Sequence, residues 1–200
     1  MVKAVARGES GWDDAKQGCR SICDSPGAVE REAILALRRG DTAGLPPIVA
    51  LHQTWALRLA AVMVGDRALA EDVVADAFLR AFGAIRRFDP ERPFAPWFRR
   101  MVVTGALKVL RSRRREAEIP LRLTGSTPSA KEVAEHAQLQ ASVRAAVASL
   151  PPTLRATVVL RFHEGLKERE IADCLHCPLG TVKWRLADAR KRLRRLLADA

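Results

Sequence analysis

Apolar residues recur three and four positions apart along most of this chain and nowhere alternate strictly with polar ones, which restricts it to helices. Ile34, Leu35 and Leu37 begin the pattern, and Leu45, Ile48, Val49, Leu51, Trp55, Leu59, Val62 and Met63 continue it after a break at 40–47. A further helical stretch over 69–88 sets Val73, Ala77, Phe78, Ala81 and Ile85 on one broad face. Prolines punctuate these segments. Pro46 and Pro47 can open a helix but cannot sit inside one, and three prolines in FDPERPFAP, 88–96, predict a loop before a helix resumes over 97–111. The expected class is all-α.

Charge divides the chain. Lys and Arg number 34 against 23 Asp and Glu, a formal charge of +11, which favours a polyanionic partner. The excess is local: positions 97–115 hold seven bases and no acid, whereas 41–96 hold six bases and seven acids. A second cluster, Lys183, Arg185, Arg190, Lys191, Arg192, Arg194 and Arg195, lies near the far end. Between the clusters, 116–138 carries Pro120, Gly125, Ser126, Thr127, Pro128 and Ser129 and reads as a flexible linker. The expected organisation is therefore a mobile extension over 1–28, one small helical domain over 29–115, the linker over 116–138, and a second helical domain over 139–200.

The second domain carries the more specific local pattern. At about 100° per residue, Val182, Leu186, Ala189, Leu193 and Leu196 fall on one narrow face, while Trp184, Lys191, Arg194 and Arg195 point away from it. Leu166, Ile171, Ala172 and Leu175 fit a short supporting helix, and HCPLG supplies a tight turn between the two. This is the arrangement of a helix-turn-helix, whose second helix enters the major groove. Cys174, one residue before Leu175 on the supporting helix, and Cys177, before Pro178 at the turn, form a Cys-x-x-Cys, but His163 and His176 do not complete a zinc spacing with them, so the cysteines read as small packing residues. Cys19 and Cys23 in the extension read as incidental thiols.

GDRALAEDVVADAFLRAFGAIRRFDPERPFAPWFRRM and LPPTLRATVVLRFHEGLKEREIADCLHCPLGTVKWRL resemble, in that order, domains two and four of bacterial extracytoplasmic-function (ECF) sigma factors. The resemblance covers about 29–197. It implies a protein that binds core RNA polymerase, directs it to promoters and helps to open the DNA. By position, Glu71, Asp72, Asp76, Phe78 and Leu79 would contact the β' clamp helices. The acids at 72 and 76 lie one helical turn apart, available to cations on a partner, with apolar groups beside them. Phe88, Asp89, Arg92, Phe94, Trp97, Arg99, Arg100, Thr104, Lys108 and Arg111 match the minus-ten recognition and melting region, where unpaired bases need stacking surfaces and the backbone needs cations. Phe88 to Phe94 are expected to form the base pocket. Thr104 and Lys108 stand where the family usually has Asn and often Asp.

In domain four the resemblance assigns Gly180, Thr181, Lys183, Trp184, Arg185, Ala187, Asp188 and Arg190 to the minus-thirty-five element. Trp184 replaces a common Ser and Asp188 a common basic residue, which implies an altered promoter preference, through a thymine methyl at Trp184 and a cytosine amine at Asp188. Trp184 packing on the polymerase β flap is the other reading. An anti-sigma factor is implied as a further partner. A stand-alone helix-turn-helix regulator is the main rival, but it leaves the first basic helix and the aromatic loop without a task. No phosphate loop, metal carboxylate cluster or partnered nucleophile is visible, and His52, His136, His163 and His176 read as packing or surface residues. No enzymatic activity, metal or cofactor is expected. The apolar run 57–64 is interrupted by Arg58 and is too short to span a bilayer, and no signal sequence is recognisable, so a cytoplasmic protein without membrane insertion is expected.

Overall fold

The computed structural model describes residues 27–116 and 142–198. The extension and the linker read from the sequence, with Cys19 and Cys23, fall almost wholly outside the described residues. Within them every regular element is helical and there is no strand.

The first domain has four helices: α1 (Ala28–Arg39), α2 (Leu45–Val64), α3 (Arg67–Ala84) and α4 (Phe94–Glu116). α1 stops at Gly40, whose φ of 88° suits glycine and whose N–H returns to the Ala36 and Leu37 carbonyls. A 3-10 turn, Thr42–Gly44, then leads into α2, which holds Pro46 and Pro47 in its first turn, where no intrahelical N–H is lost. α3 opens on Asp66, whose carboxylate accepts from Leu69 N–H at 3.0 Å and from Arg113 at 3.3 Å; the backbone bond leads in holding its pKa below the usual value.

The helix expected from position 97 begins three residues earlier, at Phe94, and absorbs Pro96. Proline is tolerated there because the first turn donates no intrahelical bond. This shift turns Phe94 and Phe98 onto the same inward face, and both are fully buried. Each such side chain contributes roughly 1.5–3 kcal/mol of burial.

The second domain comprises α5 (142–149), α6 (Pro152–Val158), α7 (Glu168–Leu175) and α8 (Leu179–Ala198). α6 runs on as a π-helical turn, Val159–His163, closed by Glu164 N–H on the Val159 carbonyl at 3.1 Å. Nothing in the periodicity foretold that turn. α7 starts where Glu170 accepts from Lys167 N–H at 2.6 Å and stops at His176, a non-glycine residue at φ 47°. Val182, Leu186 and Ala189 of α8 are buried, Leu193 is half-buried and Leu196 exposed, so the apolar stripe read from the sequence seats the helix over its first three turns and frays beyond them.

The two domains share one hydrophobic core. Ile48, Leu59, Phe98 and Val102 belong to the same buried cluster as Leu160, Ile171, Val182 and Leu186. α4 packs on α6 and α7, and α2 on the π-turn. Arg155 of α6 donates to the Met63 carbonyl at 3.0 Å, placing a cation at the negative end of α2. Its Nε is buried without a hydrogen-bond partner, and desolvation lowers its pKa.

The segment Thr42–Val64 is long and apolar enough, by length and composition, to cross a membrane, in contrast to the short run read at 57–64. Ile48, Ala56, Leu59, Ala60 and Met63 are nonetheless buried against other helices, so its apolar character serves the core.

Candidate nucleic-acid and polymerase interfaces

On α3, Glu71, Asp72 and Asp76 are exposed and Leu79 is 70% exposed beside them, while Phe78 is buried at 8% and packs on Phe98 at 4.4 Å. The surface is therefore acidic with one bare leucine, and Phe78 supports it from below. Arg67 meets Glu71 at 2.9 Å, and Arg80 meets Asp76 at 3.1 Å while donating to the Met101 carbonyl at 3.2 Å, which ties α3 to α4. Such exposed pairs hold side chains in place but contribute little stability.

The minus-ten candidates separate into three groups. Trp97, Arg100, Thr104, Lys108 and Arg111 share one stripe of α4, within about 80° of arc. Thr104, Lys108 and Arg111 are exposed and Trp97 is half-buried. The loop holds Asp89 and Arg92 outward, where Asp89 accepts from Glu91 N–H at 3.1 Å and pairs with Arg92 at 3.5 Å. Phe88, Phe94 and Arg99 are buried. The expected base pocket over 88–94 is thus filled by its own rings: Phe88 meets Phe94 at 5.7 Å and Trp97 at 4.6 Å, and Phe94 meets Phe98 at 5.4 Å. In this arrangement Trp97 is the partly open ring and Phe94 is fully enclosed. Packing a stretch that holds two phenylalanines in seven residues against a small core removed them from solvent.

Beneath the rings lies a polar pair that sequence reasoning missed. Glu30 and His52 are buried, with Nε2 and Oε1 2.7 Å apart, and Trp55 Nε1–H donates to His52 Nδ1 at 3.1 Å. Since an indole can only donate, Nδ1 accepts and Nε2–H donates to the carboxylate. The ring packs on Phe94 at 4.9 Å. His52 read as an isolated packing residue because its partner lies 22 positions away on another helix; a charged Glu30 one turn before Ile34 was the available signal.

In the helix-turn-helix, Gly180, Lys183, Trp184, Ala187 and Arg190 are exposed, Trp184 at 64%. Thr181, Arg185 and Asp188 are half-buried. Arg185 donates toward Cys177 Sγ at 3.6 Å, and Asp188 pairs with Arg192 at 3.0 Å, so the charge of Asp188 is partly neutralised by its neighbour one turn on. Cys174, on the supporting helix α7, is buried, and desolvation raises its thiol pKa to about 11. Among the described residues no three His, Cys, Asp or Glu side chains converge as a metal site would require. Further along α8, Phe162, Leu186, Leu193 and Leu197 line an open apolar groove of about 430 Å³ edged by Arg190 and Arg194.

Residues 48–116 match the family model for Sigma-70 region 2, and 140–193 that for Sigma-70, region 4. The chain is 32% identical to the ECF RNA polymerase sigma-E factor of Escherichia coli, over 60% of this chain and 69% of that one. It belongs to the ECF sigma factors of the sigma-70 family. The chain is also 34% identical to sigma factor SigE of Mycolicibacterium smegmatis, over 80% of its own length and 65% of that relative, and 26% identical to SigW of Bacillus subtilis, over 84% and 97%. Among solved structures, CnrH in complex with the cytosolic domain of CnrY matches with a TM-score of 0.61 at 25% identity, covering 86% of this chain and 99% of that one. RpoE of Bartonella quintana, in complex with the anti-sigma factor NepR, shares the fold at a TM-score of 0.60 and 21% identity, covering 77% and 96%.

The sigma factor's acidic α3 face and basic α4 stripe fall within the residues matched to region 2, and its helix-turn-helix within those matched to region 4. Two contacts between these regions had no local signature. Arg99 Nε meets Glu164 Oε2 at 3.0 Å with both side chains nearly inaccessible, and Arg100 donates to the Asp173 carbonyl. Arg99 also lies over the Trp55 ring at 5.4 Å.

Proposed function

We propose that this sigma factor binds core RNA polymerase through the α3 face of Glu71, Asp72, Asp76 and Leu79, and through a β flap element seated in the apolar groove of α8. The α4 stripe then reads and helps to melt the minus-ten element, with Trp97 as the stacking ring and Arg100, Lys108 and Arg111 on the backbone. Lys183, Trp184, Ala187 and Arg190 enter the major groove at the minus-thirty-five element. The observation that carries this reading is the presence of two separate exposed basic surfaces on two domains, with an acidic and apolar surface beside the first.

Each basic surface is small, so the free protein binds duplex DNA weakly and loses that binding steeply with salt. Polymerase holds both domains on one promoter and turns two weak contacts into one strong one. The protein works in the cytoplasm as a non-enzymatic initiation factor. An anti-sigma factor is the expected regulator; the solved neighbour bound to one supports that expectation. Exposed Leu79 makes the polymerase contact testable. Leu79→Ala and Asp76→Lys should each weaken co-purification with core polymerase at least about tenfold without lowering the melting temperature by more than a degree or two. Unchanged binding in both variants would place the polymerase contact elsewhere.

A further inference from the structure

We infer that Arg111, Arg114 and Arg115 of α4, with Thr153 of α6, form a binding site for a free, compact oligophosphate of the pyrophosphate and triphosphate class. The site goes beyond the sigma-factor reading and does not depend on it.

The run RSRRRE, 111–116, ends α4, and helical spacing divides its cations between two sides. At about 100° per residue, Arg111, Arg114 and Arg115 fall within about 100° of arc, whereas Arg113 points away from them. Arg113 pairs with Asp66 at 3.3 Å. Among the described residues no Asp or Glu pairs with the other three, all of which are exposed. Like charges three and four positions apart on a helix repel. The helix macrodipole favours a cation at this end of α4, but it does not relieve repulsion among three. A multivalent anion does.

The three side chains border a cavity. It has a volume of about 290 Å³, and its other wall is Pro151, Pro152 and Thr153, where α6 begins. Small-ligand sites run from about 300 to 1,000 Å³, so this one suits a compact ligand. Guanidinium groups keep their charge at physiological pH and present paired N–H donors to phosphate oxygens. Thr153 brings a hydroxyl, and the two prolines, with fixed φ, make a stiff wall.

Charge density decides between the two sources of phosphate. A DNA strand carries one charge per phosphate, spread along the helix at about 3.4 Å of rise each. Pyrophosphate joins two phosphates through one oxygen and concentrates its charge in the space that these arginines enclose. RNA synthesis consumes nucleoside triphosphates and releases pyrophosphate, so an initiation factor works in the presence of both. Arg111 also belongs to the α4 stripe proposed for the promoter backbone, and the test therefore falls on Arg114, Arg115 and Thr153.

The experiment is titration calorimetry of the full chain with sodium pyrophosphate, without magnesium, at about 0.15 M salt, where attraction beyond about 8 Å is screened. One saturable site is expected, at least about tenfold tighter than for orthophosphate. Pyrophosphate should also raise the urea midpoint progressively as its concentration passes Kd. Arg114→Gln with Arg115→Gln should weaken binding at least about tenfold. Arg38→Gln with Arg39→Gln removes an adjacent exposed pair from the last turn of α1 and should leave the affinity within about twofold. Thr153→Val keeps the side-chain shape, should weaken binding about three- to tenfold, and stands in if the Arg114 and Arg115 variant loses helical circular dichroism. Pyrophosphate bound no more tightly than orthophosphate and displaced by a short DNA duplex would make these arginines a DNA backbone contact and overturn the proposal. No saturable binding, or an equal loss in the Arg38 and Arg39 variant, would overturn it as well. Failure of core-dependent transcription would remove the sigma reading and leave this site standing.

Discussion

Truncating Glu30 to Ala should destabilise the first domain by about 3–4 kcal/mol, far more than a glutamate usually costs. The carboxylate is buried and accepts from His52 Nε2–H at 2.7 Å, on a ring with no exposed surface. Removing it leaves an N–H without a partner, about 1–3 kcal/mol, and deletes packed methylene groups worth about 0.8 kcal/mol each. Glu30→Gln retains an oxygen at the same reach and should cost only about 1 kcal/mol. His52→Leu strands both the carboxylate and Trp55 Nε1–H, at about 4 kcal/mol. The double variant Glu30→Ala with His52→Leu removes both members of the buried pair and should cost less than the two single losses combined, by at least about 2 kcal/mol. Urea unfolding followed by circular dichroism and tryptophan fluorescence measures all four. A loss below about 1 kcal/mol for Glu30→Ala, or strict additivity of the pair, would refute the reasoning that the ring is held by this carboxylate.

Three further outcomes follow from other contacts. Trp184→Ser with Asp188→Arg should redirect initiation on a promoter panel while leaving the melting temperature nearly unchanged, since Trp184 is 64% exposed; an unchanged promoter profile would remove both residues from recognition. Gly44→Ala should destabilise the protein by about 2–3 kcal/mol in the same urea assay, because a Cβ there would lie 2.3 Å from the backbone oxygen of Ala33, and indifference would mean that α1 is loosely seated. At pH 8, Cys174 should alkylate about a hundredfold more slowly than a thiol of ordinary pKa, because a pKa raised from 9.0 to about 11 leaves that much less thiolate; peptide mapping by mass spectrometry checks it, and rapid labelling in the folded protein would contradict its burial.

Local features of this fold were legible before any coordinates, and distant ones were not. The helix-turn-helix could be read because its evidence is local: Val182, Leu186 and Ala189 repeat at helical spacing, and Cys177 and Pro178 occupy the turn. The proline pair at 46–47 marked the start of α2 for the same reason. The start of α4 was missed by one turn because Pro96 reads as a breaker when its place in the first turn is unknown. Candidate interface residues were named by type and position, but their exposure depends on tertiary packing, which buried Phe94 and Arg99 and left Thr104, Lys108 and Arg111 in solvent. Glu30 with His52, and Arg99 with Glu164, are partnerships across 22 and 65 positions that no local period encodes.

Promoter-dependent initiation is the measurement to make: purified core RNA polymerase with and without this protein, on a genomic DNA library, with transcript starts sequenced. Discrete new starts that share two upstream elements about 25 base pairs apart are expected, and they would reveal the sequence preference set by Trp184 and Asp188. No new starts, together with no co-purification with core polymerase, would contradict initiation-factor activity and point to a regulator that binds duplex DNA alone.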